Sequence, residues 1–237
     1  MENSRAAVSA HEQACLRVAS LFPERWLRHY VRNKLRFDPV FAAAYDLLGN
    51  SSEPILDVGC GVGLLGFYLR ERGFRQPITG LDLDGRKVRR GREAANGRYD
   101  HLHFVEQDVS TELPSFRGNV ALFDALHYLD PAKQAALLSQ LAARVALGGM
   151  LLLRDCPRDG SARFWVTYLG EIFAQTISWN VGVPLHFPQR DSIFDAFSPS
   201  EFTSEDKPAW GGGPFNNRLY IFCRTTDPCL EGRSRKA

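Results

Sequence analysis

No long uncharged apolar run is present. The longest, residues 145–153, is broken by Gly148 and Gly149 and stopped by Arg154, well short of the roughly 20 residues that cross a bilayer as a helix. It reads as a buried strand. An excess of one charge is missing too: 29 Lys and Arg face 27 Asp and Glu, a net +2, so no global field draws the chain to nucleic acid or anionic lipid. The five cysteines, Cys15, Cys60, Cys156, Cys223 and Cys229, include no Cys-x-x-Cys pair, which removes the spacing of zinc sites and small disulfide frameworks. All five are expected to be reduced. Behind Met-Glu-Asn-Ser-Arg there is no apolar stretch of a secretory leader, so a cytoplasmic location is expected. Internal repeats and low-complexity tracts are absent as well.

What is there has ordinary globular proportions, 44% hydrophobic and 24% charged over 237 residues. That suits one generous domain with at most a small extension. From residue 55 onward, short apolar segments at 55–58, 78–81, 102–106, 120–123 and 150–154 alternate with amphipathic stretches at 63–72, 85–95 and after Asp130-Pro131. This alternation builds a parallel sheet with helices on both faces. Residues 161–178 read as an apolar and aromatic helix, and segments 202–205 and 219–223 as a hairpin at the sheet edge. Residues before Asn50 read as separate helices broken at Pro23 and Pro39. The expected division is a helical cap over 1–50 and an α/β domain over 51–237.

The segment Ile55-Leu56-Asp57-Val58-Gly59-Cys60-Gly61-Val62-Gly63 is an apolar strand running into glycines and then a helix. Such a turn brings a ligand against backbone at the carboxyl end of a parallel strand. From Gly61, Gly-Val-Gly-Leu-Leu-Gly also fits the dinucleotide fingerprint. The register argues against that reading: the strand ends at Val58, so the turn begins at Gly59 and the third fingerprint position falls on Leu64. A carboxylate at Asp57 would repel a pyrophosphate and attract a cation.

Asp57-Val58-Gly59-Cys60-Gly61-Val62-Gly63 resembles the Asp-x-Gly-x-Gly-x-Gly loop of class I methyltransferases that use S-adenosylmethionine. The resemblance continues in order through Ile78-Thr79-Gly80-Leu81-Asp82-Leu83-Asp84, Phe104-Val105-Glu106-Gln107-Asp108-Val109 and Phe123-Asp124-Ala125-Leu126-His127-Tyr128-Leu129. It implies a Rossmann-like, seven-stranded, mostly parallel sheet flanked by helices, with S-adenosylmethionine as cofactor. By position it implies cofactor contacts from Asp57, Gly59, Cys60, Gly61, Gly63, Leu83, Phe123 and Asp124. Asp82 would accept from both ribose hydroxyls, Asp108 from the adenine amino group, and Val109 would supply backbone.

The acceptor is less legible. The Asn/Asp-Pro-Pro-aromatic tetrad of nucleic-acid amino methyltransferases is replaced here by Phe123-Asp124-Ala125-Leu126. A small organic acceptor is therefore expected, aromatic or lipid-like, and no nucleic acid. His127 and Asp155, just past two strand ends, are the candidate proton acceptors. Phe164, Trp165, Tyr168, Leu169, Ile172 and Phe173, with Trp179, His186, Phe187 and Trp210 nearby, offer an apolar wall. Arg154, Asp155, Arg163, Phe164, Thr167, Glu171 and 213–217 resemble, at scattered positions, methyltransferases of bacterial aryl-polyene pigment clusters. Residues 22–38 interleave Trp26, Tyr30 and Phe37 with five cations. They read as an amphipathic helix docked by its aromatics, or as a lid offering a basic surface to an acidic carrier protein. Two other functions fit the sequence: an RNA methyltransferase guided by the basic helices, and a non-catalytic protein that binds S-adenosylmethionine.

Overall fold

A computed structural model of the chain describes residues 2–176 and 184–225. Seven strands form one sheet: β1 (Ile55–Val58), β2 (Ile78–Asp82), β3 (Leu102–Glu106), β4 (Asn119–Phe123), β5 (Met150–Asp155), β6 (Phe202–Pro208) and β7 (Arg218–Arg224). Their order is β3-β2-β1-β4-β5-β7-β6. β1 to β5 run parallel, and β7 pairs antiparallel with β5 and with β6. The expected edge hairpin is thus present, and every expected strand lies within a residue or a few of its place. β1 is buried throughout and β5 nearly so, as continuous apolar strands covered on both faces must be. The order reverses between β1 and β4, and at such a switch point the strand ends diverge and leave a crevice.

The sheet is flanked by α4 (Leu64–Glu71), α5 (Gly85–Ala95), α6 (Pro131–Ala142), α7 (Ala162–Thr176) and the short α8 (Arg190–Phe194). α6 begins as its sequence dictates: Asp130 caps it by accepting from the Lys133 N–H at 2.9 Å, and Pro131 sits where no N–H is needed. The far end of the expected helix over 161–178 falls at 177 and 178, outside the described residues, as do Trp179 and Cys229.

Three helices precede the sheet: α1 (Glu2–Ser20), α2 (Arg25–Phe37) and α3 (Val40–Leu48), separated at Pro23 and Pro39. α2 docks through Leu27, Val31 and Leu35, whose spacing of four places them on one face. Docking by the aromatics, as read from sequence, is corrected: Trp26 and Phe37 point outward at 52% and 66% exposure. Ala14, Val18, Phe22, Leu35, Phe41 and Leu48 bury in the same cluster as Ile55, Phe67, Tyr68 and Leu69. The His11 ring bonds the Tyr68 hydroxyl at 2.7 Å, and Phe22 meets Phe67 edge to face. The helices over 1–50 are therefore not separate from the sheet's core. No helix among the described residues is long and apolar enough to cross a membrane.

A shared core predicts shared unfolding. Leu35→Ala, at a fully buried position, is expected to cost about 2–5 kcal/mol in urea titration, with helical dichroism and amide exchange in β1 reporting one common transition. An early loss of helix that leaves β1 protected would show that the N-terminal helices fold apart.

Candidate functional site

The loop after β1 is built from glycines with left-handed backbones: φ is +72° at Gly59, +58° at Gly61 and +86° at Gly63. They serve different ends. A Cβ on Gly59 would lie 2.6 Å from Ala125 Cβ, and one on Gly63 would lie 2.3 Å from the Phe104 ring. Packing forbids a side chain at both. A Cβ on Gly61 would meet nothing within 4 Å, and Gly61 lines a cavity of about 410 Å³ at the switch point. There the backbone is left bare for an occupant.

Asp82, at the end of β2, holds this loop in place. Its Oδ2 accepts the Gly61 N–H at 2.7 Å and its Oδ1 the Asp84 N–H at 2.8 Å. Each carboxylate oxygen can accept more than once, so Asp82 braces the loop and still presents acceptors to the cavity. Asp57 is in the opposite condition. It is buried at 3% exposure, lines the cavity, and has neither hydrogen bond nor ion pair to its carboxylate among the described residues. Burial, and next the charge of Asp82, push it up to about 7. An unpaired buried carboxylate is costly and is a ready receptor for a cation.

Across the cavity, four charged groups join three parts of the chain. The Arg154 guanidinium on β5, 1% exposed, donates through Nη1 to Asp38 and through Nη2 to Asp124. Lys34 Nζ on α2 lies 2.9 Å from Asp38 and 3.5 Å from Asp124. Burial alone would push Asp38 up, but Arg154 and Lys34 outweigh it and hold the carboxyl below its usual range. Asp124 takes a left-handed backbone, φ +53°, and its N–H bonds the Arg154 carbonyl at 2.9 Å. It lines the cavity, yet its carboxylate is committed to Arg154 and Lys34.

His127 and Asp155 form a buried pair, Nδ1 to Oδ1 at 2.8 Å. On its other side, His127 Nε2 lies 3.8 Å from Glu171 Oε2 on α7, to which the Tyr128 hydroxyl donates at 2.6 Å. Burial opposes a charge on the imidazole, but Asp155 and then Glu171 raise it to about 10. Phe187 stacks on the ring at 4.9 Å. Tyr128 and Glu171 line the cavity, whereas His127 and Asp155 do not. The two candidate proton acceptors thus stand one side chain behind the wall.

Of the positions implied by the resemblance, Asp57, Gly59, Cys60, Gly61, Asp82, Leu83, Val109, Phe123 and Asp124 line the cavity. Gly63 caps α4, and Asp108 turns back to accept the Ser110 N–H at 2.9 Å; both lie off the lining. The wall expected from His186, Phe187 and Trp210 is corrected likewise: the lining aromatics are Tyr30, Phe41, Phe123 and Tyr128. Sequence reasoning counted Lys34 only among the cations of residues 22–38 and gave Lys87 and Tyr128 no role, yet all three line the cavity. Glu171 did carry a signal, as the lone acid on a helix dominated by apolar and aromatic residues, where a carboxylate needs a reason to be.

Residues 55–149 match a family described as a methyltransferase domain. The chain is 26% identical over 134 residues to a mitochondrial ubiquinone biosynthesis O-methyltransferase of Candida albicans, covering 53% of this chain and 39% of that one. It is 28% identical over 116 residues to a ubiquinone biosynthesis O-methyltransferase of Nitrosomonas europaea, covering 47% of each. The matches thus span less than half the length of these curated relatives. Among solved structures, magnesium protoporphyrin IX methyltransferase of Synechocystis PCC 6803 with bound SAH is similar at TM-score 0.62 and 19% identity, over 85% of this chain and 88% of that one. That likeness shows a common fold.

The condition of Asp57 has a pH signature. Folded, it holds its proton more tightly than unfolded, so its ionisation opposes folding. The penalty is absent below about pH 4 and grows until pH passes about 7. Without ligand, Asp57→Asn is expected to be more stable than wild type at pH 8, by on the order of 4 kcal/mol, with the gap closing by pH 4. A difference independent of pH would show that the carboxylate is not unpaired.

Proposed function

We propose that this chain, which carries a methyltransferase domain of the class I fold, transfers the methyl group of S-adenosylmethionine to a small organic acceptor. The observation that carries this reading is the pairing of Gly61, bare toward the cavity, with the unpaired buried carboxylate of Asp57 beside it. A cofactor bearing an ammonium and a sulfonium satisfies that carboxylate; a pyrophosphate would be repelled by Asp57 and Asp82 together. In this reading Asp57 receives the ammonium and Asp82 the ribose hydroxyls. Val109, Leu122, Phe123 and Leu137 supply the apolar slot for the adenine ring.

The other half of the cavity, from Tyr30, Lys34, Tyr128, Glu171 and Ala174, then receives the acceptor in line with the sulfonium. Two helices bordering the cavity, α2 and α5, expose Arg25, Arg28, Arg36, Arg86 and Arg89. That exposed basic surface, in which Arg36 pairs with Glu12 and Arg86 with Asp84, suits an acidic carrier that delivers the acceptor.

Calorimetry is expected to show binding of S-adenosylhomocysteine and none of NAD. Asp82→Ala removes two charge-assisted hydrogen bonds of roughly 1.5–3 kcal/mol each, so affinity should fall at least about a hundred-fold. Because Asp82 also braces Gly61 and Asp84, Tm should fall with it, and Asp82→Asn should be milder in both respects. Tighter binding of NAD than of S-adenosylhomocysteine would overturn the cofactor assignment.

A further inference from the structure

We propose that Glu171 takes the proton from the methyl acceptor, with Tyr128 and His127 positioning it, and that the acceptor is a phenol or a comparably acidic hydroxyl. The inference rests on the function proposed above. Five carboxylates line the cavity. Asp57 and Asp82 belong to the glycine-loop half, Asp84 caps α5 and pairs with Arg86, and Asp124 pairs with Arg154. Glu171 is the one supplied by α7, on the half that the cofactor leaves open.

Its setting is that of a held base. Tyr128 donates to Oε2 at 2.6 Å and His127 Nε2 stands 3.8 Å behind the same oxygen. The imidazole cannot swing away: Asp155 holds Nδ1 at 2.8 Å, Phe187 stacks on the ring, and the His127 carbonyl accepts the His186 N–H at 2.8 Å. The charged and titratable groups facing Glu171 are His127 and Tyr128 before α6, Lys34 on α2, Lys87 on α5 and Cys156 after β5. Burial would push Glu171 up, but His127, Tyr128 and Lys34 together hold it below the usual carboxylate range.

A carboxylate held low is ionised at neutral pH and is a weak base. It matches an acceptor whose own proton is acidic, and serves an aliphatic alcohol poorly. The Tyr30 and Tyr128 side chains on the same half offer flat surfaces to an aromatic ring. In the step, an acceptor oxygen lone pair forms the new O–C bond while the methyl C–S bond breaks and its electrons pass to sulfur. The hydroxyl proton moves to a Glu171 carboxylate oxygen, which later returns it to water. His127 remains an imidazolium throughout.

The test uses 4-nitrophenol, whose ionisation is visible by absorbance, with the full chain saturated by S-adenosylhomocysteine. Glu171→Gln should bind S-adenosylhomocysteine within about twofold of wild type, since the residue lies outside the cofactor half. The apparent pKa of the bound phenol should be higher in wild type than in Glu171→Gln by about one unit, because the nearby carboxylate opposes a phenolate. With S-adenosylmethionine, Glu171→Gln should lose about 10²–10⁴-fold in kcat for methylation of the same phenol. His127→Asn should move the acid limb of kcat/KM upward by about one unit, a shift that a purely structural role would not give. Glu171→Gln is isosteric, so its arms stand whether or not the His127 variant folds. Unchanged phenol ionisation and turnover in Glu171→Gln would overturn the assignment of the base. Binding of S-adenosylhomocysteine without 4-nitrophenol would overturn the acceptor class. Failure of wild type to bind S-adenosylhomocysteine would remove the underlying function, a result distinct from either.

Discussion

The cavity exists in its present form because a buried guanidinium on the sheet is satisfied by the segment that precedes the sheet. Arg154 is desolvated near the end of β5, and its partners come from Asp124 after β4 and Asp38 after α2, with Lys34 between them. Two cations and two carboxylates make the group neutral. Removing Asp38 or Asp124 would leave the buried Arg154 guanidinium undercompensated, a larger loss than an exposed pair would bring. The same contacts fix the C-terminal half of α2, and with it Tyr30 and Lys34, against the carboxyl ends of the strands.

From that constraint the division of the cavity follows. Glycine backbone, Asp57 and Asp82 form one wall, at the end where parallel strands diverge. α2, Tyr128 and α7 form the other. The two walls differ in how their carboxylates are treated. Asp57 is left unpaired and pushed up to about 7, a state that a proton or an incoming cation relieves. Glu171 is held down by an imidazolium and a tyrosine hydroxyl and is ionised before anything binds. In the proposed reading, one wall receives positive charge and the other takes a proton.

The strands were legible because apolar runs such as Ile55-Leu56, Leu151-Leu152-Leu153 and Leu219-Tyr220-Ile221-Phe222 admit few other fates. The glycine loop was legible through its register with the end of β1. What escaped were properties that depend on which neighbour arrives. The spacing of Leu27, Val31 and Leu35 competes in α2 with Trp26, Tyr30 and Phe37, and only packing on α1 and α4 decides between the two faces. His127 and Asp155 were placed at the strand ends correctly, but sequence does not say that Phe187 and the wall residues Tyr128 and Glu171 enclose them. Asp108 matched a binding position in order and spacing, while the structure sets it off the cavity lining, with one oxygen accepting the Ser110 N–H.

The central claim is that Asp57 is a protonatable, unpaired carboxylate awaiting the ammonium of S-adenosylmethionine. Proton linkage on binding tests it most directly. The enthalpy of S-adenosylhomocysteine binding, measured near pH 6.5 in two buffers of different ionisation enthalpy, gives the number of protons exchanged. Release of a substantial fraction of one proton per ligand is expected from wild type, and essentially none from Asp57→Asn. No release from wild type, or equal release from both proteins, would contradict the assignment.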